Sequence, residues 1–186
     1  MSTSQTVEGA ASVLPCVGCG GLVPNVDGPT HPYMAASPGC WRVYGEVSAR
    51  SHREPGPPAV HWYQVDCYAA QHPGGAEHDR RQRQSVAVHL TSLCLLLEHG
   101  MPAVGATTRR GRMSQTVLPR IGLPDWPYLV PPASHGAVTV VDVHHTTDQT
   151  EYAVQVKRWA EAVWTAWSGH HHVVRQWAST ALGGPA

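Results

Sequence analysis

The sequence predicts a mainly α protein, a compact helical bundle with an N-terminal zinc-knuckle-like loop lobe. Two observations carry that expectation. Apolar residues recur at helical spacing through most of the chain beyond Ser37, with cap residues ahead of them. The stretch before it, PCVGCGGLVPNVDGPTHPYMAASPGCW at 15–41, has almost no apolar periodicity but holds three cysteines and a histidine. A length of 186 residues allows one domain with a real core and crowds out a second.

Residues 1–13 are small and polar and are expected to be disordered. Residues 14–182 are expected to form a single helical domain that includes a zinc-binding loop at 14–40. Residues 14–36 are rich in Gly and Pro and read as loop. Ser37 suits an N-cap and Pro38 a first helical position, with Trp41, Tyr44 and Val47 at helical spacing. The run REPGPP at 53–58 breaks that helix. A second helix covers 59–72 and stops at HPGG. A third runs from Arg80 to His99, capped by Asp79 and closed by Gly100, with Val86, Leu90, Leu93 and Leu97 as its stripe. Residues 100–135 carry several prolines and read as an irregular crossing with one short helix near 113–118, pinned by Trp126 and Tyr128. Thr139 can cap a short helix over 139–145, preferred to a strand because a lone strand has nothing to pair with. A long helical pattern starts at Asp148, with Val154, Trp159 or Arg158, Ala162 and Trp167 on one side. Gly169 breaks it, and a last helix reaches about Leu182.

Lys plus Arg and Asp plus Glu both number 13, so no net charge draws the chain to nucleic acid or an anionic membrane. No apolar window is long enough for a membrane span. The N-terminus lacks a signal-peptide pattern, so a reduced, cytoplasmic protein is expected. Histidine is in excess: 13, as many as all acidic residues together.

Cys16-x2-Cys19-Gly has the spacing of a zinc knuckle, with Gly18 and Gly20 to permit the turn. Cys40, at the start of the first helix, supplies a third thiolate where the helix dipole favours negative charge. The fourth ligand is His31 by proximity in sequence, or His72 at a distance. A redox CxxC pair is disfavoured, since no strand–helix unit precedes it. Four protein ligands leave no open position, so the zinc is expected to be structural.

The helical histidines form a second constellation. In HWYQVDCYAAQHPGG, His61, Val65, Tyr68 and His72 share a face. His89 lies at the edge of the third helix's stripe. His170, His171 and His172 open the last helix. Such residues, with Glu46, can hold a second transition metal in a bundle. Without a metal, His72 or His61 can act as a general base oriented by Asp66 or Glu46. The arginines at 80, 81, 83, 109, 110 and 112 read as solvated faces, and Cys94 as core.

The combination CxxCG, HPY-x3-SPGCW-x2-YGEV, D-x-Y-x2-QHPG, QSVAVHL and W-x2-W-x2-HH-x2-VR resembles a bacterial domain family of unknown function, number five-nine-four-six. The resemblance spans about Pro15 to Trp177. It implies no established activity. Its motif positions here are Cys16, Cys19, His31, Cys40, Trp41, Glu46, His61, Asp66, Gln71, His72 and His89, with the region of His171. The chain departs from the pattern at Cys67 and over 100–135. The expected function is that of a small zinc-binding metalloprotein, a bacterial biosynthetic-type enzyme using metal-dependent or general-base chemistry. It would act on a small molecule in an interhelical pocket lined by Glu46, His61, Asp66, His72 and His89. The alternative is a non-catalytic, zinc-stabilised interaction module.

Overall fold

The computed structural model describes residues 12–53 and 58–185. It opens with an antiparallel hairpin, β1 (Val13–Pro15) and β2 (Leu22–Pro24), with Leu14 opposite Val23. Strands of three residues are too short to show alternation, which is why the sequence read as loop here. The disorder expected for 1–13 lies outside the described residues, except at Ser12 and at Val13, which opens β1.

Helix α1 (Pro38–Arg53) buries Gly39, Cys40, Val43 and Val47 at helical steps. Ser37 stands directly before it, as expected, but its hydroxyl accepts the amide of Val17 and so stitches the hairpin loop to the helix. The break expected at 53–58 falls mostly outside the described residues. Helix α2 is Pro58–Gln71 and α3 is Arg80–Leu97. Asp79 caps α3 as predicted, accepting from the amides of Arg81 and Gln82.

The crossing expected at 100–135 instead begins with a full helix, α4 (Ala103–Val117). Its interior carries Gly105, Thr107, Thr108 and Gly111, which are weak helix formers, and its buried face is only Ala103, Ala106, Met113 and Val117. Packing against α3 and α7 supplies what propensity does not. Trp126 pins the following segment as expected: its ring meets Trp177 edge-on and its indole donates to Ser114.

Helix α5 (Val140–His144) is the short helix predicted, with Thr139 and Asp142 forming a capping box. Helix α6 (Gln149–Ala166) starts at Asp148 and buries Tyr152, Val156, Trp159, Ala160, Val163 and Trp164. Of the predicted stripe, Trp159 and Trp167 are buried, while Ala162 is half-buried and Val154 is 46% exposed. A 3-10 turn at Ser168–His170 interrupts the helix where Gly169 was expected to, and α7 (His171–Ala181) follows.

Helix α2 packs on α3 and α6, while α3 also meets α4 and α7. Buried hydrogen bonds fix the C-terminal end of α2. Gln71 accepts from the Trp159 indole at 2.7 Å and donates to the carbonyls of His135 and Val138, and the Trp167 indole donates to the Ala70 carbonyl. No helix among the described residues is long and apolar enough to cross a membrane.

Glu98, just past α3, ties three helices. It accepts from Arg175 at 2.7 and 2.8 Å and from the Trp164 indole at 2.9 Å. The Arg175 hydrogen bonds hold its carboxyl down at about 2. A lowered folded pKa contributes stability above the ordinary value of 4.5, and that stability is lost as pH falls through the folded value. Glu98→Gln is therefore expected to be less stable than wild type at neutral pH but to lose less between pH 5 and 2. Urea titrations across that range check this; parallel pH profiles would remove the assignment.

Candidate metal centre and acid–base site

The hairpin turn is built around Cys16. Its amide donates to the Gly21 carbonyl and its own carbonyl accepts from Gly20, which sits at φ 74° where a side chain would be strained. This turn presents Cys16 and Cys19 together. The first turn of α1 brings Cys40, and the residue after α2 brings His72. The three sulfurs and a His72 nitrogen all lie within 4.8 Å of one another. Cys19 Sγ is 3.9 Å from Cys40 Sγ, and Cys40 Sγ is 3.3 Å from His72 Nε2. Thiolates around a tetrahedral zinc stand about 3.8 Å apart, so these groups fit such an ion with little movement.

The surroundings prepare the ligands. His72 Nδ1 donates to the Tyr68 carbonyl at 2.7 Å, which fixes the tautomer that leaves Nε2 free to ligate. The Ser37 amide donates to Cys16 Sγ and the Tyr68 hydroxyl to Cys40 Sγ. Hydrogen bonds from Cys19 and Cys40 hold the Cys16 thiol far below its ordinary range, while Cys16 and Cys19 drive Cys40 far above it. A cation among the sulfurs would offset the effect of Cys16 and Cys19 that opposes ionisation of Cys40. Burial pulls His72 down, but hydrogen bonds to Cys16 and Cys19 outweigh it and hold the imidazole at about 9. A metal must displace these protons, so its affinity falls with pH.

The fourth member of the cluster is thus His72 and not His31. The His31 ring packs edge-on against Tyr33 and Trp41, with Nδ1 buried and without a hydrogen-bond partner. Proximity in sequence pointed to the wrong histidine because the loop folds its middle outward over α1 while α2 returns its end to the knuckle.

The pocket expected from Glu46, His61, Asp66, His72 and His89 is not one pocket. His72 belongs to the thiol cluster. Glu46 lies on the outer face of α1, 2.7 Å from His144 Nε2 and in reach of Arg42, and it lines two clefts that contain none of the other four. His61 packs edge-on against His52 and Trp62, its Nδ1 buried and unpartnered, and burial holds its pKa down. His171 stacks on Trp164 and donates to its carbonyl, and His170 pairs with the Val130 carbonyl.

Asp66 and His89 do meet. Asp66 is fully buried, and its Oδ1 lies 2.7 Å from His89 Nδ1 and 2.9 Å from Arg110, while Oδ2 accepts from Ser92 at 2.6 Å. The Arg110 guanidinium also lies over the Trp62 ring. Arg110, expected on a solvated face, is instead largely buried against Asp66, and Ser92 had no assigned role. Ser92 is three residues beyond His89 on α3, a spacing that was legible; Arg110 was not, because it comes from the unrecognised helix α4.

Elemental analysis of the purified chain is expected to give one metal ion, nearly all of it lost in Cys16→Ser and in His72→Ala and retained in His31→Ala. Loss with His31→Ala and retention with His72→Ala would reverse the assignment. Gly18→Ala is expected to weaken retention as well, since a Cβ there would stand 2.1 Å from the Ala35 carbonyl oxygen and 2.6 Å from the His72 ring. No curated protein and no solved structure matches the chain. A family model described as a family of unknown function (DUF5946) matches residues 14–168. The chain belongs to that family.

Proposed function

We propose that the cysteine cluster holds a structural zinc ion and that the protein is a general-base enzyme acting on a small molecule at His89. The observation that carries the second part is the pairing of His89 Nδ1 with a fully buried carboxylate. That pairing leaves Nε2 as the free ring nitrogen, on a residue that lines a cavity of about 390 Å³. A neutral imidazole held this way takes a proton at Nε2, and Asp66 stabilises the imidazolium that results. Arg110 and Ser92 hold the Asp66 carboxylate in place through hydrogen bonds to its two oxygens. Tyr33 and Gln84 add polar groups to the cavity wall.

Three thiolates and an imidazole favour zinc over the hard cations. Four protein ligands leave it no open position, which suits a scaffold role. Both Asp66 oxygens already have partners, so the reading uses the general-base branch of the expectation and no second metal. Free thiols hold zinc only while reduced, in keeping with a cytoplasmic setting.

A second reading, the zinc-stabilised interaction module, draws on the hairpin, where Val13, Leu14, Val17 and Leu22 are all about half exposed or more. Sedimentation of the wild type and of Leu22→Ser at rising concentration tests whether this tip associates; monomers in both would leave it without support.

For the enzyme, small carbonyl and ester compounds are offered to the chain in D2O, and turnover and deuterium uptake are followed by mass spectrometry. His89→Gln is expected to lower the rate by roughly 10²- to 10⁴-fold while retaining metal. Turnover unchanged in His89→Gln would overturn the assignment. Asp66→Ala is expected to cost about 3–5 kcal/mol of stability, because it strands Arg110 and His89 beside a buried cavity; urea unfolding measures it.

A further inference from the structure

The cavity beside His89 has a chemical bias of its own. Tyr33, Arg81, Gln84, Ser85, Val88 and His89 line it, and none of these is acidic. Two carboxylates touch lining residues: Asp66 is fully buried behind His89 and matched by Arg110, Ser92 and His89 itself, and Asp79 is taken up by the amides of Arg81 and Gln82 as the cap of α3. The wall itself offers a guanidinium, hydroxyls, an amide and an imidazole, and no carboxylate.

Arg81 is set apart from its neighbours. Arg80 pairs with Asp125 at 2.5 Å, and Arg83 reaches Asp125 and the Glu77 carbonyl. The Arg81 guanidinium has no partner among the described residues. Arg81, Ser85 and His89 recur at steps of four and so share one face of α3. About 12 Å of helix separates Arg81 from His89. A ligand that meets both is extended, with an anionic group at one end and its reacting group at the other. The cavity thus has the Arg81 guanidinium at one end and the His89 imidazole at the other.

We propose that this cavity takes a small polar molecule bearing a carboxylate or phosphate group, which Arg81 holds while His89 faces the proton to be removed. The proposal rests on the general-base reading of His89 and names the substrate class for it. A guanidinium forks onto either oxyanion with paired hydrogen bonds, and Ser85 and Gln84 supply donors along the path between.

The test is side-chain NMR of the ¹⁵N-labelled full chain at fixed ionic strength. Inorganic phosphate, acetate and ethylammonium are titrated separately while the backbone amide of Ser85, the Arg81 Nε–H and the His89 ring nitrogens are followed. Phosphate or acetate is expected to shift the Arg81 Nε–H and the Ser85 amide saturably, and the tighter of the two identifies the anion. Ethylammonium is expected to give no saturable shift. Arg81→Gln is expected to weaken the anion at least tenfold, and Arg80→Gln to leave it unchanged. Absence of saturation with both anions, equal weakening in the two arginine variants, or equal binding of ethylammonium would each overturn the proposal. The same spectra test the underlying reading independently. A His89 Nδ1–H signal that disappears in Asp66→Asn supports the dyad whatever the anions do. If that signal is present and neither anion binds, the substrate class alone falls. If the signal is absent, the general-base reading falls and the proposal with it.

Discussion

His72 is held by three interactions at once, and the rest of the structure is arranged around them. Its Nε2 lies among the thiols, its Nδ1 donates to the Tyr68 carbonyl, and its own carbonyl accepts the amide of Ala35. A buried imidazole fixed on both nitrogens has no rotational freedom left. The N-terminal lobe has little apolar surface with which to dock, since most large apolar residues of its hairpin face outward. The cluster of Cys16, Cys19, Cys40 and His72 supplies the attachment that a core would otherwise provide.

This attachment reaches beyond the cluster. Met34 bridges to Pro73 immediately after His72, and Ala35 is bonded to His72 itself. The segment between the knuckle and α1 is therefore clamped at the end of α2. Immediately before Met34 in that segment, Tyr33 forms part of the wall beside His89. The cluster of thiols and imidazole thus helps to decide where one wall of the cavity stands. Gly18 sits at the tightest point of this arrangement, where backbone, imidazole and knuckle leave no room for a methyl group.

Helix α2 carries both centres. His72 closes it toward the knuckle, and Asp66, six residues before on a different face, turns toward α3 and α4. A helix transmits such a relation rigidly, because each residue advances a fixed 1.5 Å and 100°. Gln71, held between the Trp159 indole and two backbone carbonyls, fixes the rotation of α2 against α6. A full set of hydrogen bonds makes the burial of Asp66 and Gln71 tolerable. It also lets them impose a single register on helices whose apolar faces alone would pack in several ways.

The helical character, most helix starts and the three thiolates were readable from residue order. Each depends on neighbours within a few positions: Asp79 over α3, Thr139 with Asp142 over α5, Gly20 after the CxxC turn, Cys40 in the first turn of α1. Helix α4 was not readable, because its glycines and threonines argue locally against helix and only its packing on α3 and α7 argues for it. The choice of His72 over His31 and the separation of Glu46 and His61 from Asp66 and His89 were also beyond residue order. So was the arrival of Arg110 at Asp66 from α4. These are distances between segments far apart in the chain, and such distances are set by which faces the helices bury against one another. The sequence by itself determined which residue types were available for metal and proton chemistry; the tertiary structure alone decided which of them meet.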